Sequence, residues 1–132
     1  MFHFMRNNKT YKCSICGNII TLNHESSGKL VCCNKNMDLL KVNYDESGSG
    51  EKHVPVLQKI DNETYKIIVG AIPHPMTEEH YIEYIEVSTN KNERLTFFLN
   101  KNEKAEVIFK TSSEILSVFA YCNLHGMWGK KL

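Results

Sequence analysis

Nine of the eleven cysteines and histidines in this chain, side chains that a transition metal selects, fall into two groups. Cys13 and Cys16 form a C-x-x-C knuckle, and Cys32 and Cys33 follow as an adjacent pair. A two-residue gap lets two thiolates converge on one ion while backbone N–H groups of the turn point at the sulfurs. Four thiolates in one short stretch make a soft tetrahedral site suited to zinc or iron. Gly17, just after the knuckle, lets the chain turn around the metal. The adjacent second pair departs from the two knuckles of an ordinary zinc ribbon, so its backbone must take an unusual shape to aim both sulfurs at one ion. The second group holds His53, His74, His80, Cys122 and His125. Taken singly, a histidine is usually a surface or core residue and a cysteine a buried inert thiol. Taken together, they lie near prolines, strand ends and turns, where side chains can meet. Four imidazoles and one thiolate favour a transition metal, iron being a natural candidate. Five ligands leave one octahedral position open for a small molecule. A thiolate opposite that position would push electron density onto the metal, as in thiolate-ligated haem.

Two charged residues precede the first histidine of this group. Lys52 would bring a cation to the open position and attract an anion, and Glu51 could serve as a movable carboxylate ligand. The plain alternative for both is a solvated surface pair. For the cysteines, the plain alternative is a structural metal that folds a small domain.

The elements that must position these residues are short. The chain has 132 residues, a net charge of +1 and 42% hydrophobic residues, which suits one medium domain or a small one followed by an ordinary one. The near-zero charge gives no global pull toward nucleic acid or an anionic membrane. The sequence shows no apolar stretch of the roughly 20 residues a spanning helix needs, and Met1–Thr10 lacks the apolar run of a signal peptide. A cytoplasmic protein is expected, and five cysteines without an export signal favour metal or redox use over a disulfide framework. Residues 1–10 read as an extension, 11–42 as the small metal-binding domain and 43–50, rich in Gly and Ser, as a linker. Residues 51–132 read as the second domain. There, β-rich runs at Tyr65–Val69, Leu95–Leu99, Glu106–Phe109 and Ile115–Tyr121 alternate with polar turns, the pattern of an antiparallel sandwich or barrel. His80–Val87 has apolar residues compatible with helix or strand; its aromatic and β-branched content favours strand.

These segments, Cys13-x-x-Cys16 with Cys32-Cys33, then GEKHVPV, IPHPM–EEHYIE and YCNLHGMW, resemble desulfoferrodoxin, the two-iron class of superoxide reductase. The resemblance runs from Tyr11 to Trp128. It implies a mostly β fold, a desulforedoxin-like domain followed by an immunoglobulin-like β-sandwich, and two irons per chain. The first iron would be held by Cys13, Cys16, Cys32 and Cys33. The catalytic iron would be held by equatorial His53, His74, His80 and His125 with Cys122 as axial thiolate. It further implies one-electron reduction of superoxide to hydrogen peroxide, with Lys52 favouring superoxide binding and product protonation and Glu51 closing the sixth position of the resting ferric site. A rubredoxin-like electron donor and a homodimer are also implied. The stretch Cys33-Asn34-Lys35-Asn36-Met37 lacks the glycine and proline expected after the paired cysteines, and His3 and His24 fall outside the ligand positions. Two other readings compete with the enzyme: an electron carrier whose irons only relay electrons, and a zinc-stabilised binding module, which leaves the histidines unexplained.

Overall fold

The computed structural model describes residues 9–132; most of the expected extension and His3 lie outside them. The chain forms two compact units, with residues 9–41 in the first and 42–132 in the second.

The first unit is built from very short strands. β1 (Thr10–Lys12) pairs antiparallel with β2 (Ile19–Thr21) and β5 (Asp38–Leu39), and β3 (Val31–Cys32) pairs with β4 (Lys35–Asn36). Thr10, the last residue of the expected extension, faces Thr21 in the β1–β2 ladder. The β3–β4 hairpin resolves the missing glycine and proline. Its two-residue turn is Cys33-Asn34, and both residues have positive φ, 54° and 58°. That is the signature of the I′ turn, whose twist matches the strands it joins. Asn34 tolerates this region well; for Cys33 it is the unusual backbone that adjacent ligands require. Gly17 also has positive φ, 85°, where a side chain would be strained.

The second unit is a sandwich. One sheet runs β10-β9-β12-β13-β6 and the other β11-β8-β7. The strands are β6 (Val42–Asn43), β7 (Pro55–Lys59), β8 (Thr64–Val69), β9 (Ile82–Thr89), β10 (Arg94–Phe98), β11 (Glu106–Lys110), β12 (Ile115–Cys122) and β13 (Gly126–Lys131). All neighbours are antiparallel except β13 and β6. Alternation along the strands sends one face of each sheet inward. Ile67, Val69 and Phe109 from one sheet meet Ile82, Ile85, Val87, Val118, Ala120 and Cys122 from the other in one core. The chain is therefore mostly β, as expected. His80 precedes β9, in the turn, and the run that follows it is strand. β7 and β13, which no strong alternation announces, complete the sandwich. The stretch 43–50 is tied into this unit at both ends: Asn43 pairs with Trp128, and Gly50 is buried at the start of α1 (Gly50–His53).

α1 is one turn long, and local chemistry explains why. Gly50, Glu51 and Lys52 donate backbone hydrogen bonds three residues back, to Ser47, Gly48 and Ser49. Pro55 disfavours helical backbone at Val54, which is extended (ψ 121°). The turn is pressed onto the end of β8 at Gly70. A Cβ there would stand 2.8 Å from Glu51 O and 2.9 Å from Lys52 C, both backbone atoms that cannot swing aside. Ile72 N–H, just beyond, donates to Glu51 O at 2.9 Å.

At the opposite end of β9, the Glu93 carboxylate gathers the Thr89 hydroxyl at 2.8 Å and the Ser113 hydroxyl at 2.7 Å. The Ser113 and Thr89 bonds hold its pKa below the usual 4.5.

Two predictions follow from these contacts. Gly70→Ala will push α1 off the sheet, lowering both the thermal midpoint of the protein and its affinity for metal in the second unit; scanning calorimetry and chelator competition read the two effects. Glu93 has a lowered folded pKa, so its contribution to stability is present above pH 4.5 and lost as pH falls through the folded value. The stability advantage of the wild type over Glu93→Gln will accordingly shrink as the pH drops below 4.5, and a matching advantage at pH 7 and pH 3 would refute that assignment.

Candidate metal centres

In the first unit, the sulfurs of Cys13, Cys16, Cys32 and Cys33 all lie within 4.8 Å of one another. Cys16 Sγ and Cys32 Sγ are 3.5 Å apart. The knuckle aims its backbone inward: Ile15 N–H and Cys16 N–H donate to Cys13 Sγ, each at 3.4 Å, and Asn18 N–H donates to Cys16 Sγ at 3.4 Å. The Asn18 amide donates to Cys32 Sγ at 3.7 Å. The N–H groups of Cys16 and Ile15 bring the Cys13 thiol down to about 6. Cys32, hydrogen-bonded to Cys16 and Cys13, is pushed up to about 12, and Cys33 is raised for the same reason. Four sulfurs this close can all be ionised only around a cation, and a metal removes their protons on binding.

The second centre lies at one end of the sandwich, and each ligand type is delivered by a different element. His53 ends α1 and folds back on its own turn, its Nδ1–H donating to Ser49 O at 2.7 Å. His74 sits between Pro73 and Pro75 after β8, and its Nδ1–H donates to Pro75 O at 2.6 Å. His80 closes the turn that leads to β9. Cys122 ends β12, fully buried, and His125 stands in the turn to β13.

With their Nδ1 atoms protonated toward carbonyls, His53 and His74 present bare Nε2 lone pairs. These two nitrogens face each other at 3.1 Å. Two acceptors at that distance repel unless a cation lies between their lone pairs. Two nitrogens at neighbouring positions of an octahedral ion, each about 2.1 Å from it, stand about 3.0 Å apart. The Nε2 of His80 is buried without a hydrogen-bond partner, and a buried polar atom of this kind demands an explanation. The four rings form a closed square. Successive centroids, His53–His74–His80–His125 and back to His53, are 4.6, 4.7, 4.9 and 5.0 Å apart, and the His53–His80 diagonal is 6.4 Å.

The ligand atoms of His53, His74, His80 and Cys122 lie within 4.8 Å of one another. His125 stands slightly apart from that set and approaches through its other nitrogen, with Nδ1 3.7 Å from Cys122 Sγ. Burial holds the pKa of His74 down at about 4 and lowers that of His53 and His80, so all three imidazoles are neutral at pH 7 and free to donate to a metal. Burial raises the Cys122 thiol, while the N–H groups of Leu124 and His125 oppose that rise. A cation would complete what those two donors begin. The four cysteines, and the histidines with Cys122, thus fit two iron centres.

Lys52 and Glu51 are exposed on α1. The Lys52 charge contributes to the lowered pKa of both His80 and His53. Glu51 instead lines a cleft of about 230 Å³ with Glu46, Ala71 and Lys130, and belongs to neither ligand set. His24 is exposed and outside both sets. The motif YCNLHGMW contains a residue whose role the spacing does not reveal. The Trp128 ring stacks on His53 with centroids 4.6 Å apart and planes 20° apart, and its Nε1–H donates to His125 O at 3.0 Å. One buried indole therefore braces two sides of the square.

Two family models match the chain, one described as Desulfoferrodoxin, N-terminal domain, over residues 5–40, and one described as Desulfoferrodoxin over residues 45–131. The chain belongs to the desulfoferrodoxin family. A desulfoferrodoxin of Desulfarculus baarsii is 42% identical over 120 residues, covering 91% of this chain and 93% of the relative. A desulfoferrodoxin homolog of Archaeoglobus fulgidus is 43% identical over 121 residues, covering 91% and 94%. Among solved structures, the superoxide reductase from Treponema pallidum superposes with a TM-score of 0.75 at 26% identity, covering 94% of this chain and 97% of that one. Both metal-binding units of the desulfoferrodoxin family are thus present in one chain.

The two units should respond differently to metal removal. Of the core hydrophobic residues, Cys13 is the one that comes from the first unit's described residues. A strong chelator will unfold that unit while the sandwich keeps its strands, and amide NMR will show collapsed dispersion for residues 9–41 alone. Native dispersion throughout the metal-free protein would show that the first unit folds without its ion.

Proposed function

We propose that this chain reduces superoxide to hydrogen peroxide in its second unit, at iron held by His53, His74, His80, His125 and Cys122, with Cys13, Cys16, Cys32 and Cys33 holding a second iron in the first unit. The observation that carries this reading is the square of four imidazoles joined by a single buried cysteine, in a chain of the desulfoferrodoxin family. Iron, when bound there, supplies the single electron that superoxide accepts. The balance is one superoxide, one electron and two protons for each hydrogen peroxide.

The chain's own groups account for the rest. Ser49 O and Pro75 O hold the first two imidazoles in the tautomer that leaves Nε2 free. Carbonyl partners of this kind orient a ligand and raise its basicity. The N–H groups of Leu124 and His125 at Cys122 Sγ set how strongly the sulfur donates. Lys52, exposed one residue before His53, draws the substrate anion toward the metal and orders water that delivers protons. Exposure of His125 and Lys52 puts bulk water at hand. Glu51 would be the movable carboxylate of the site; it is exposed and lies outside the cluster of ligand atoms.

The remaining parts of the reading rest on the family resemblance: a rubredoxin-like protein returns the electron, the chain works as a homodimer, and it works in the cytoplasm. The electron-carrier reading is not favoured. It leaves a cation beside the ligands without a task.

Stopped-flow mixing of the reduced, iron-counted protein with superoxide tests the function. The expected result is one peroxide formed per superoxide consumed, with loss of one ferrous equivalent. Half that peroxide yield would indicate a dismutase, and no reaction above free iron would indicate a carrier. Lys52→Ala should slow the second-order step by about tenfold or more and flatten its decline with salt. An unchanged rate and salt slope would remove Lys52 from the mechanism.

A further inference from the structure

Three of the four imidazoles of the square have visible restraints on their rings. His53 and His74 are each fixed by an Nδ1–H bond to a carbonyl, and the His53 ring also stacks on Trp128. His125 sits with Nδ1 at the Cys122 sulfur. His80 has no such hold. Its Nε2 lacks any hydrogen-bond partner, and the aromatic rings it meets are the other imidazoles. The position of His80 must therefore be set through its main chain.

That main chain is held from two sides. From below, Thr77 N–H donates to His80 O at 2.9 Å, and His80 N–H donates to Thr77 Oγ1 at 3.1 Å. These bonds are internal to the loop and shape it without placing it. From across the site, Asn123 places it. The Tyr81 N–H donates to Asn123 Oδ1 at 3.0 Å, and Asn123 Nδ2 donates to Glu79 O at 2.8 Å. The backbone N–H of Asn123 donates to Tyr81 O at 3.2 Å. One side chain thus grips the residues on both sides of His80, and it belongs to the residue directly after Cys122. From these contacts we infer that Asn123 is a positioning residue, a clasp that fixes His80 relative to the Cys122 sulfur and so sets the shape of the metal site.

The residue type is what this task needs. The grip uses an acceptor and a donor on one short planar group, which asparagine supplies and aspartate does not. Aspartate retains the acceptor toward Tyr81 N–H but sets a carboxylate oxygen against Glu79 O. Alanine loses both side-chain contacts, and the His80 loop then depends on the Asn123 N–H bond to Tyr81 O and on exposed contacts of Glu78 with Lys101 and Asn102. Misplacing one equatorial imidazole changes the symmetry of the field at the metal, and outer-shell changes of this kind cost about ten- to a hundredfold in metal affinity.

The inference rests on the second unit holding iron. The test uses the full-length protein with both irons counted. Wild type, Asn123→Ala and Asn123→Asp are compared by the ferric electron paramagnetic resonance of the second centre and by iron release to a ferrous chelator. The signal of the first centre serves as internal control. Asn123→Ala should give an altered, broadened signal for the second centre and iron release about ten- to a hundredfold faster. Asn123→Asp should fall between, and the first centre's signal should be unchanged in both. A folded Asn123→Ala protein with the wild-type line shape and release rate would overturn the inference. Should that variant fail to fold, Asn123→Asp decides by the same two readings. A wild-type protein that takes up no iron in its second unit would instead remove the functional reading, and this inference with it.

Discussion

Two imidazole nitrogens held face to face at 3.1 Å, each with its lone pair bare, are the constraint on which the second unit turns. Such an arrangement is unfavourable in the absence of a cation, so the fold must impose it. It does so with rigid parts that end at the same place: α1 pressed on Gly70, the proline-flanked loop after β8, and the turn that leaves β12. The sandwich core behind them, with Ile67, Val69, Ile85 and Val118 almost free of solvent, supplies the stability that this concentration of unsatisfied nitrogen draws on. An ion turns the same geometry from a burden into a bond network.

The first unit reverses this relation. Its strands are two or three residues long, and Ile15 and Val31 are exposed. A piece of roughly 40 residues rarely sustains itself on a hydrophobic core. What it buries is Cys13, within a nest of N–H groups that favours thiolate over thiol. In one unit a hydrophobic core backs the ligands; in the other a ligand is itself what is buried.

The sequence makes some of this legible and hides the rest for physical reasons. The clustering of candidate ligands was readable because soft and borderline donors are uncommon and their spacing is constrained: Cys13-x-x-Cys16 sets two thiols in one cluster, and Cys122-x-x-His125 brings an imidazole to 3.7 Å from a buried sulfur. Strands β8, β11 and β12 were readable from alternating or β-branched runs. β13 was not, since Gly126-Met127-Trp128-Gly129 has little alternation and becomes a strand only by pairing with β12 and β6. α1 was hidden by its length, a single turn fixed by tertiary contacts. The stretch 43–50 looks like a linker by composition, yet Gly50 is glycine because Asp45 O lies where a Cβ would stand. The carbonyls of Ser49 and Pro75 that orient two histidines carry no sequence signal, because every residue has a carbonyl. The I′ turn was hidden because one of its two residues is a cysteine, which composition does not suggest for positive φ.

Lys52 and His53 are neighbours on a helix of four residues packed against Gly70 and tied to Ile72. A charge and a ligand so joined behave as two arms of one lever. A shift of this turn's backbone would therefore carry the charged side chain and the imidazole together. A change that moves the backbone of α1 shifts both, whereas a change confined to the exposed lysine side chain leaves the buried ring held by Ser49 O and Trp128. Mechanically, the position of the exposed charge and that of the buried ring form one degree of freedom, set by how this single turn sits on the sheet.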